Sequence, residues 1–264
     1  MCGRYASSRS PDDLAEEFEV IDPRLDKVLD PDYNVAPTKE VYAVLERPPA
    51  DREGEPGEGT GEPEPVRQLR VLRWGLVPFW AKDPSIGSRM INARMETVAE
   101  KPAFRRAFAA RRCLLPADGY YEWYPTQQKE KGKPAKQPFF IRPKDGSVLA
   151  MAGLYELWKD PTRSDDDPER WRWTCTVLTT DAPDHLGRIH DRMPLLVTPE
   201  RRSAWLDPQT PKDRLLDLLV PAQETGLEAF PVARAVGNVR NNGPELVEPV
   251  PFEETLLAAE GHVR

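Results

Sequence analysis

Cysteine and histidine are scarce in this chain, with three of each among 264 residues. The odd cysteine number and the lack of any CxxC pair argue against a disulfide framework and a structural zinc site. The histidines show no HExxH spacing, which excludes the commonest zinc-protease motif. We expect no metal and no other cofactor. The cysteines are Cys2, Cys113 and Cys175.

Long apolar runs are also missing. No stretch reaches the roughly 18 residues that a membrane-spanning helix needs, and the first residues contain no apolar signal region. The hydrophobic fraction of 39% is low, so part of the chain is expected to lie outside the core. These features predict a cytoplasmic protein without a membrane partner, and no feature of the sequence indicates an oligomer, so we expect a monomer.

An overall positive charge is absent as well, because the net charge is −7. Taken alone, this value argues against nucleic-acid binding. The acidic residues are concentrated in segments 46–64 and 160–169, however, and local charge rather than net charge describes a binding face. Between those segments lies a group of basic residues that includes Arg67, Arg70, Arg73, Arg89, Arg94, Lys101, Arg105, Arg106, Arg111 and Arg112.

Low-complexity sequence is confined to residues 46–65, which are rich in Pro, Gly and Glu. Such a segment buries too little apolar surface to offset the entropy of ordering it. We interpret it as a disordered insertion in a hairpin, since a strand-like segment follows it directly. Residues 253–264 are expected to form a flexible tail, and the whole chain, 1–264, to form one domain.

Strand patterns outnumber helix patterns along the chain. Helices are predicted after Ser10-Pro11, Thr198-Pro199 and Thr210-Pro211, each an N-cap followed by proline, and over 98–110 after a capping box at Thr97. Because the helices do not alternate with the strands, we predict an α+β fold with a predominantly antiparallel, curved or barrel-like β-sheet core and flanking helices. Strands are predicted over 41–45, 66–73, 114–123, 138–142, 148–158, 172–179 and 228–236.

Cys2 is the most informative residue for function. Met1 is normally removed when a small residue follows it, and the chain would then begin with an α-amine and a thiol on one residue. In an unfolded peptide the pKa is about 8 for such an amine and about 8.5 for a thiol, so both groups are usable nucleophiles near neutral pH. An aminothiol of this kind captures an aldehyde as a Schiff base and then closes a thiazolidine ring. By itself, however, a cysteine at position 2 is usually incidental.

Three further residues are candidates for catalysis. Glu122 lies in an aromatic strand and shares a face with Tyr120; it is either a solvated glutamate or a carboxylate whose pKa is raised by its surroundings. His190 precedes a Met-Pro turn and is either a structural loop residue or a general acid and base. Asn92 either caps backbone groups or orients a reacting group. For each residue alone, the structural interpretation is the commoner one.

Five residues are candidates for contacts with DNA. Three arginines are either scattered surface cations or, if they converge on one groove, ligands of phosphates. Two tryptophans are either core residues or surfaces on which bases stack. The candidates are Arg4, Arg94, Arg192, Trp74 and Trp123.

These segments together resemble the SOS response-associated peptidase (SRAP) family of abasic-site processing proteins. The motifs occur in order and span roughly residues 2 to 240. They are CGRYA at 2–6, YNVAPT at 33–38, RWGLVPFWA at 73–81, INARMET at 91–97, RRCLLPADGYYEW at 111–123 and HDRMP at 190–194.

The resemblance implies an enzyme of DNA repair in the SOS response that crosslinks itself to abasic sites in single-stranded DNA. Cys2 would form the thiazolidine, Asn92 would position it, Glu122 would move protons and His190 would assist opening of the sugar ring. Arg4, Arg94 and Arg192 would contact phosphates, and Trp74 and Trp123 would pack beside the DNA. The chemistry would be lyase-like, and the peptidase or hydrolase label would refer to removal of Met1. The insertion at 46–65 is the main departure from the family pattern.

Two alternatives remain open. An amidohydrolase with an N-terminal cysteine nucleophile would use the same thiol and amine, although the Arg-Gly-Pro-type segment expected of that class is not found. A non-covalent single-stranded DNA-binding module would use the arginines and tryptophans and show salt-sensitive binding with no adduct.

Overall fold

The computed structural model describes residues 2–48, 64–130, 133–167, 170–221 and 226–251. In these ranges the chain forms two curved β-sheets and a few short helices, which confirms the predicted α+β class. The helices are α1 (Pro11–Glu17), α2 (Arg105–Ala110), α3 (Asp184–Gly187), α4 (Pro199–Leu206) and α5 (Lys212–Leu218). The strands are β1 (Tyr5–Ser7), β2 (Asp22–Pro23), β3 (Asp32–Val35), β4 (Glu40–Arg47), β5 (Val66–Trp74), β6 (Asn92–Arg94), β7 (Arg112–Ala117), β8 (Gly119–Glu130), β9 (Lys133–Pro143), β10 (Leu149–Lys159), β11 (Trp171–Asp181), β12 (Arg192–Pro194) and β13 (Leu227–Pro231).

Five strands of the larger sheet close into a barrel. The order β11-β10-β7-β4-β5 consists of antiparallel pairs. A parallel pairing of β5 with β11, in which Cys175 lies opposite Trp74, then joins the two ends. This closure confirms the predicted barrel-like core and removes the exposed edges between these strands.

The smaller sheet has the strand order β13-β9-β8-β1-β3. The short strand β1 lies between β8 and β3, with Tyr5 opposite both Tyr120 and Val35. Since β1 begins three residues after Cys2, this pairing fixes the start of the chain between the two sheets.

The chain passes from the barrel to the smaller sheet at Asp118 and Gly119. We predicted one strand over 114–123, which is wrong: β7 ends at Ala117 and β8 begins at Gly119. The Asp118 amide donates to the Ala6 carbonyl at 2.8 Å instead of extending the barrel ladder. A side chain at Gly119 would lie 2.6 Å from the carbonyl oxygen of Ile141, so the crossing requires glycine.

The predicted helix over 98–110 is also wrong in its first half. A single 3-10 turn spans Met95–Thr97, turns follow, and α2 begins only at Arg105. Proline at 102 has no amide hydrogen to donate to the carbonyl of Val98, so a continuous helix cannot form there.

The other predicted helices begin close to the expected positions. Ser10 caps α1, accepting a hydrogen bond from the Asp13 amide at 3.1 Å, and Thr198 occupies the N-cap of α4. The helix α5 begins one residue later than predicted, with Pro211 rather than Thr210 at the N-cap. The late strand ends at Pro231, short of the predicted 236, and a 3-10 helix follows.

Alternating residues of the barrel strands contribute to two apolar clusters. On one face, residues such as Tyr42, Val44 and Leu114 pack with the helices. On the other face, residues such as Leu45, Leu115 and Val177 pack with Cys2 and the smaller sheet. The start of the chain is therefore part of the main core.

Two predictions fall mainly or wholly outside the described residues. They are the insertion at 46–65, of which 49–63 are not described, and the tail at 253–264. Among the residues described, no helix combines the length and the apolar character needed to span a membrane.

Candidate active site

Cys2 is completely buried where the two sheets meet. It belongs to the same apolar cluster as Tyr5, Trp74, Tyr120 and Cys175, so both sheets surround it. Its thiol accepts a hydrogen bond from the backbone amide of Arg4. Cys2 is therefore held in a fixed position within the packed core.

Burial raises the pKa of the Cys2 thiol well above its usual range, and the negative charge of Glu122 raises it further. A buried thiol in these surroundings is protonated at neutral pH. It can act as a nucleophile only when a neighbouring group takes its proton.

Asn92 holds the backbone of Cys2. Its side-chain Nδ2 donates a hydrogen bond to the Cys2 carbonyl oxygen at 2.8 Å. Asn92 is placed there by β6, which runs parallel to β11 with Asn92 opposite Val177. Its buried Oδ1 has no hydrogen-bond partner among the described residues. This oxygen is thus available to a donor that enters the site.

Glu122 is the buried carboxylate of the site, with only 3% of its surface exposed. Strand alternation places it on the face of Tyr120, as predicted, while Tyr121 and Trp123 contact one another on the opposite face. Burial raises the pKa of Glu122 to about 7, although the positive charge of the amino terminus lowers it in part. A carboxyl group with this pKa can both accept and donate a proton at neutral pH.

His190 completes the group. Its Nδ1 accepts the backbone amide of Arg192 at 3.0 Å, so in the neutral ring the proton lies on Nε2, which is 4.0 Å from Glu122 Oε2. Burial lowers the pKa of His190. Asp191 Oδ1 also lies 3.0 Å from Nδ1, but its side chain is 87% exposed and free to rotate, so we take the backbone amide as the partner that fixes the ring.

Arg4 and Trp123 form a pair beside this site. The Arg4 guanidinium lies 5.7 Å from the centre of the Trp123 ring, and its Nη1 donates to Asn34 Oδ1 and to the Val236 carbonyl. Burial lowers the pKa of Arg4. Both side chains are partly exposed, so their place is compatible with contact to a bound strand.

The other two predicted phosphate ligands differ from each other. Arg94 is exposed at the end of β6. Arg192 is 7% exposed, and it donates to Glu96, to Asp181 and to the Thr179 carbonyl. These hydrogen bonds make Arg192 a structural link between β12 and its neighbours, whereas Arg94 is open to a ligand.

Trp74 lies in the core and not on the surface. It is fully buried, donates its indole N–H to the Ile91 carbonyl at 2.9 Å, and packs edge-on against Tyr5 at 5.2 Å. A base therefore has no access to its ring. Trp74 supports the segment that carries Asn92.

Sequence reasoning did not single out Phe79 and Trp80, which are each 49% exposed. Arg106 lies 4.3 Å above the Phe79 ring. The sequence feature that could have identified them is a pair of adjacent aromatic residues in the loop that follows β5. Exposed aromatic rings next to a cation are suited to stacking on bases.

The basic residues noted in the sequence have two different roles: some make hydrogen bonds within the fold, and others are exposed on the surface. Arg112 is buried and donates to the carbonyls of Phe108 and Trp205, and Arg67 donates to the Phe18 carbonyl and to Glu46. The remaining basic residues of that stretch that are exposed are Arg73, Arg89, Arg94, Lys101, Arg105 and Arg106.

In the part of the chain that the structure describes, no group of three or more His, Cys, Asp and Glu side chains is arranged to hold a metal ion. The three cysteines are buried and unpaired. The site thus consists of one cysteine, one amide, one carboxylate and one imidazole at the junction of two sheets.

The sequence that builds this site and fold matches a known class of protein. The family model described as SOS response associated peptidase (SRAP) matches residues 1–239. The chain belongs to this family, which confirms the resemblance seen in the sequence.

Several relatives are similar over their full length. The chain is 38% identical to the abasic site processing protein YoqW of Bacillus subtilis, covering 94% of this chain and 99% of YoqW. It is 33% identical to the abasic site processing protein YedK of Escherichia coli, covering 95% and 100%. A crystal structure of a protein from Bacteroides thetaiotaomicron matches with a TM-score of 0.74 at 24% identity, covering 95% of this chain and 100% of that one. This last similarity supports the fold alone.

Proposed function

We propose that this chain recognises abasic sites in single-stranded DNA and traps them covalently through Cys2 after Met1 is lost. The observation that carries the proposal is the convergence of Cys2, Asn92, Glu122 and His190 at one junction. Membership of the family and similarity to proteins named for abasic site processing support it.

The first step is attack of the Cys2 α-amine on the ring-opened aldehyde. Glu122, with its pKa near 7, takes a proton from the ammonium group and makes the amine nucleophilic. Glu122 then returns this proton to the leaving oxygen and takes one from the nitrogen, while the Nε2–H of the neutral His190 ring donates a hydrogen bond to the leaving oxygen. One water is lost and a C=N bond forms.

The second step closes the ring. The thiol sulfur adds to the imine carbon, and the thiol proton passes to the nitrogen, so no proton is gained or lost overall. Because burial keeps the thiol protonated, this order, in which the amine attacks first, fits the site better than an initial attack by a thiolate. The thiazolidine also replaces a Schiff base, which would promote strand cleavage.

The DNA strand would cross the site beside Arg4 and Trp123, with Arg94 contacting a phosphate and Phe79 and Trp80 stacking on bases. We propose that the protein acts as a monomer in the cytoplasm, on the nucleoid DNA. The single-strand preference rests on the exposed aromatic rings, since stacking on bases requires unpaired strands.

The deciding measurement is the intact mass of the protein after incubation with a single-stranded oligonucleotide that contains one abasic site. Protein confirmed to lack Met1 is expected to gain the mass of the oligonucleotide less one water, and the adduct is expected to survive denaturation. Cys2→Ala is expected to form no adduct. Cys175→Ala is the matched control, because it removes another fully buried thiol from the same cluster and is expected to keep the adduct.

Failure of the Met1-free protein to form an adduct would reject the proposal. Binding without an adduct would indicate a non-covalent DNA-binding module, and glutamine hydrolysis would indicate an amidohydrolase. His190→Ala is expected to slow adduct formation on the order of 100-fold while the dissociation constant for undamaged DNA stays unchanged. An equal loss of binding and of rate would contradict its role in the reaction.

A further inference from the structure

A second group of charged and aromatic side chains lies at the other end of the barrel from Cys2. On β5, Arg70 and Trp74 point to the same face and are four residues apart, which separates them by roughly 13 Å. Trp74 packs against Tyr5 and donates to the carbonyl of Ile91, the residue before Asn92, so it lies at the Cys2 end of the barrel. Arg70 belongs to what we call the far-end cluster, which consists of Arg47, Arg70, Tyr155 and Trp173.

The far-end cluster is organised around the Trp173 ring. The guanidinium carbons of Arg70 and Arg47 lie 4.4 Å and 5.0 Å from its centre. Tyr155 stacks on it at 5.8 Å with an angle of 15° between the rings. Because protein groups already surround this ring, it orients the two arginines and is not a surface for a base.

The charges in this cluster are unbalanced. Nearby, Arg24 forms an ion pair with Asp22, and Arg111 with Glu156. Within the described residues, Arg47 and Arg70 form no ion pair with a carboxylate.

The two unpaired arginines repel each other. Burial, followed by the positive charges of Arg47 and Arg24, lowers the pKa of Arg70, and the exposed Asp26 offsets only part of this. Two half-buried cations held this close favour an anion between them.

Gln68 gives independent support. Its side chain is fully buried, and its Oε1 accepts a hydrogen bond from Arg70 Nε at 2.8 Å. Its Nε2 has no acceptor among the described residues. A buried amide donor without an acceptor costs free energy, and an anionic oxygen held by Arg70 would lie next to it.

We propose that the far-end cluster binds a phosphate group through Arg47, Arg70 and the Gln68 amide. Guanidinium groups bind phosphate oxygens with pairs of parallel hydrogen bonds, and stacking on Trp173 and Tyr155 holds their planes in position. The phosphate is either a free anion or part of a nucleic-acid strand, since both present the same oxygens. This site is separate from the Cys2 site and does not depend on the function proposed for it.

The test measures the melting temperature and the tryptophan fluorescence of the full chain during titration with inorganic phosphate, at constant ionic strength set by chloride. At a phosphate concentration about 100-fold above the dissociation constant, the melting temperature should rise by roughly 5 °C. Arg47→Gln and Arg70→Gln should each abolish this rise, and Trp173→Phe should remove the fluorescence change. A parallel titration with undamaged oligodeoxythymidine shows whether a strand competes for the site.

Arg142→Gln is the matched control, because Arg142 also lies over an aromatic ring, Phe230 at 5.0 Å, but is neutralised by Glu228. It should keep the full response to phosphate. Without phosphate, Arg47→Gln should not lower the melting temperature, because it removes the repulsion between Arg47 and Arg70. If Arg47 had only a structural role, the same substitution would lower the melting temperature. The proposal would be overturned if phosphate did not raise the melting temperature of the wild type. It would also be overturned if Arg47→Gln and Arg70→Gln both kept the full rise.

Discussion

Asn92 and Cys2 are 90 positions apart in the chain, and the Asn92 side chain donates a 2.8 Å hydrogen bond to the Cys2 carbonyl oxygen. The bond links the parallel β6–β11 pair of the barrel to the residue that precedes the smaller sheet. It therefore fixes the backbone of Cys2 relative to the barrel.

We expect Asn92→Ala to cost about 1 kcal/mol of unfolding free energy, the usual net value of one hydrogen bond. The adduct rate should fall by more than this loss of stability explains, because the reacting amine is no longer positioned. Denaturant unfolding and adduct kinetics at a temperature where both proteins are folded measure the two effects. Asn92→Asp, which keeps the shape but loses the donor, should behave like Asn92→Ala.

Glu122 makes the stability of the protein depend on pH. Its pKa is raised to about 7 in the folded protein, above the value of about 4.3 expected when unfolded. The folded state therefore binds more protons between these values, and this contribution to stability is full below pH 4 and is lost as the pH rises to 7. The loss amounts to roughly 4 kcal/mol.

Glu122→Gln cannot titrate, so its unfolding free energy should vary less between pH 5 and pH 8 than that of the wild type. The difference is measured by urea unfolding at a series of pH values. Parallel curves for the two proteins would show that Glu122 is ionised throughout and is not the proton carrier. The same variant should form the adduct slowly at every pH.

Arg94 on β6 and Arg192 on β12 lie on strands that both pair with β11. They were predicted to have the same role, but the structure leads us to expect opposite effects. Arg94→Gln should change the free energy of unfolding by no more than about 0.5 kcal/mol, as is usual for an exposed residue. It should weaken binding to undamaged single strands. The slope of the logarithm of the binding constant against the logarithm of the salt concentration should fall by about the value for one phosphate contact.

Arg192→Gln should cost about 2 kcal/mol of stability through its lost hydrogen bond to the Thr179 carbonyl and its ion pairs. We place this below the cost of a fully buried pair, because the Asp181 and Glu96 partners are themselves exposed. A change in the salt dependence of binding, with stability unchanged, would instead make Arg192 a phosphate ligand.

Gly119 marks the crossing between the two sheets. A methyl group there would lie 2.5 Å from the Phe140 ring and 2.6 Å from the Ile141 carbonyl, so Gly119→Ala should cost at least about 2 kcal/mol. Gly237→Ala is the control, because nothing among the described residues lies within 4 Å of the added atom. Equal melting temperatures for the two variants would show that the crossing tolerates a side chain.

The sequence predicted local features of the fold well where one pattern dominated. Period-2 alternation placed Glu122 with Tyr120, and the N-cap signals placed the starts of α1 and α4. It failed where a single residue interrupts a longer pattern, as Pro102 does in the predicted helix and Asp118 in the predicted strand. The closure of the barrel by β5 and β11 depends on residues about a hundred positions apart, and no local pattern contains that information.

The sequence predicted which residues form the candidate site, but it did not predict which of them are buried and which are exposed. The motifs identified Cys2, Asn92, Glu122 and His190, yet charge alone could not separate the exposed Arg94 from the buried Arg192. Likewise, an aromatic residue in a motif does not show whether it faces solvent, so Trp74 was named as a DNA contact and Trp80 was not.

The burial of Cys2 sets a time limit on the maturation of this protein. The residues of its cluster extend from Tyr5 to Leu227, so the pocket cannot close until most of the chain has left the ribosome. At roughly 5–20 residues per second, the amino terminus stays open to processing for about ten to forty-five seconds. We therefore expect an enzyme that trims Met1 to act most readily on the growing chain.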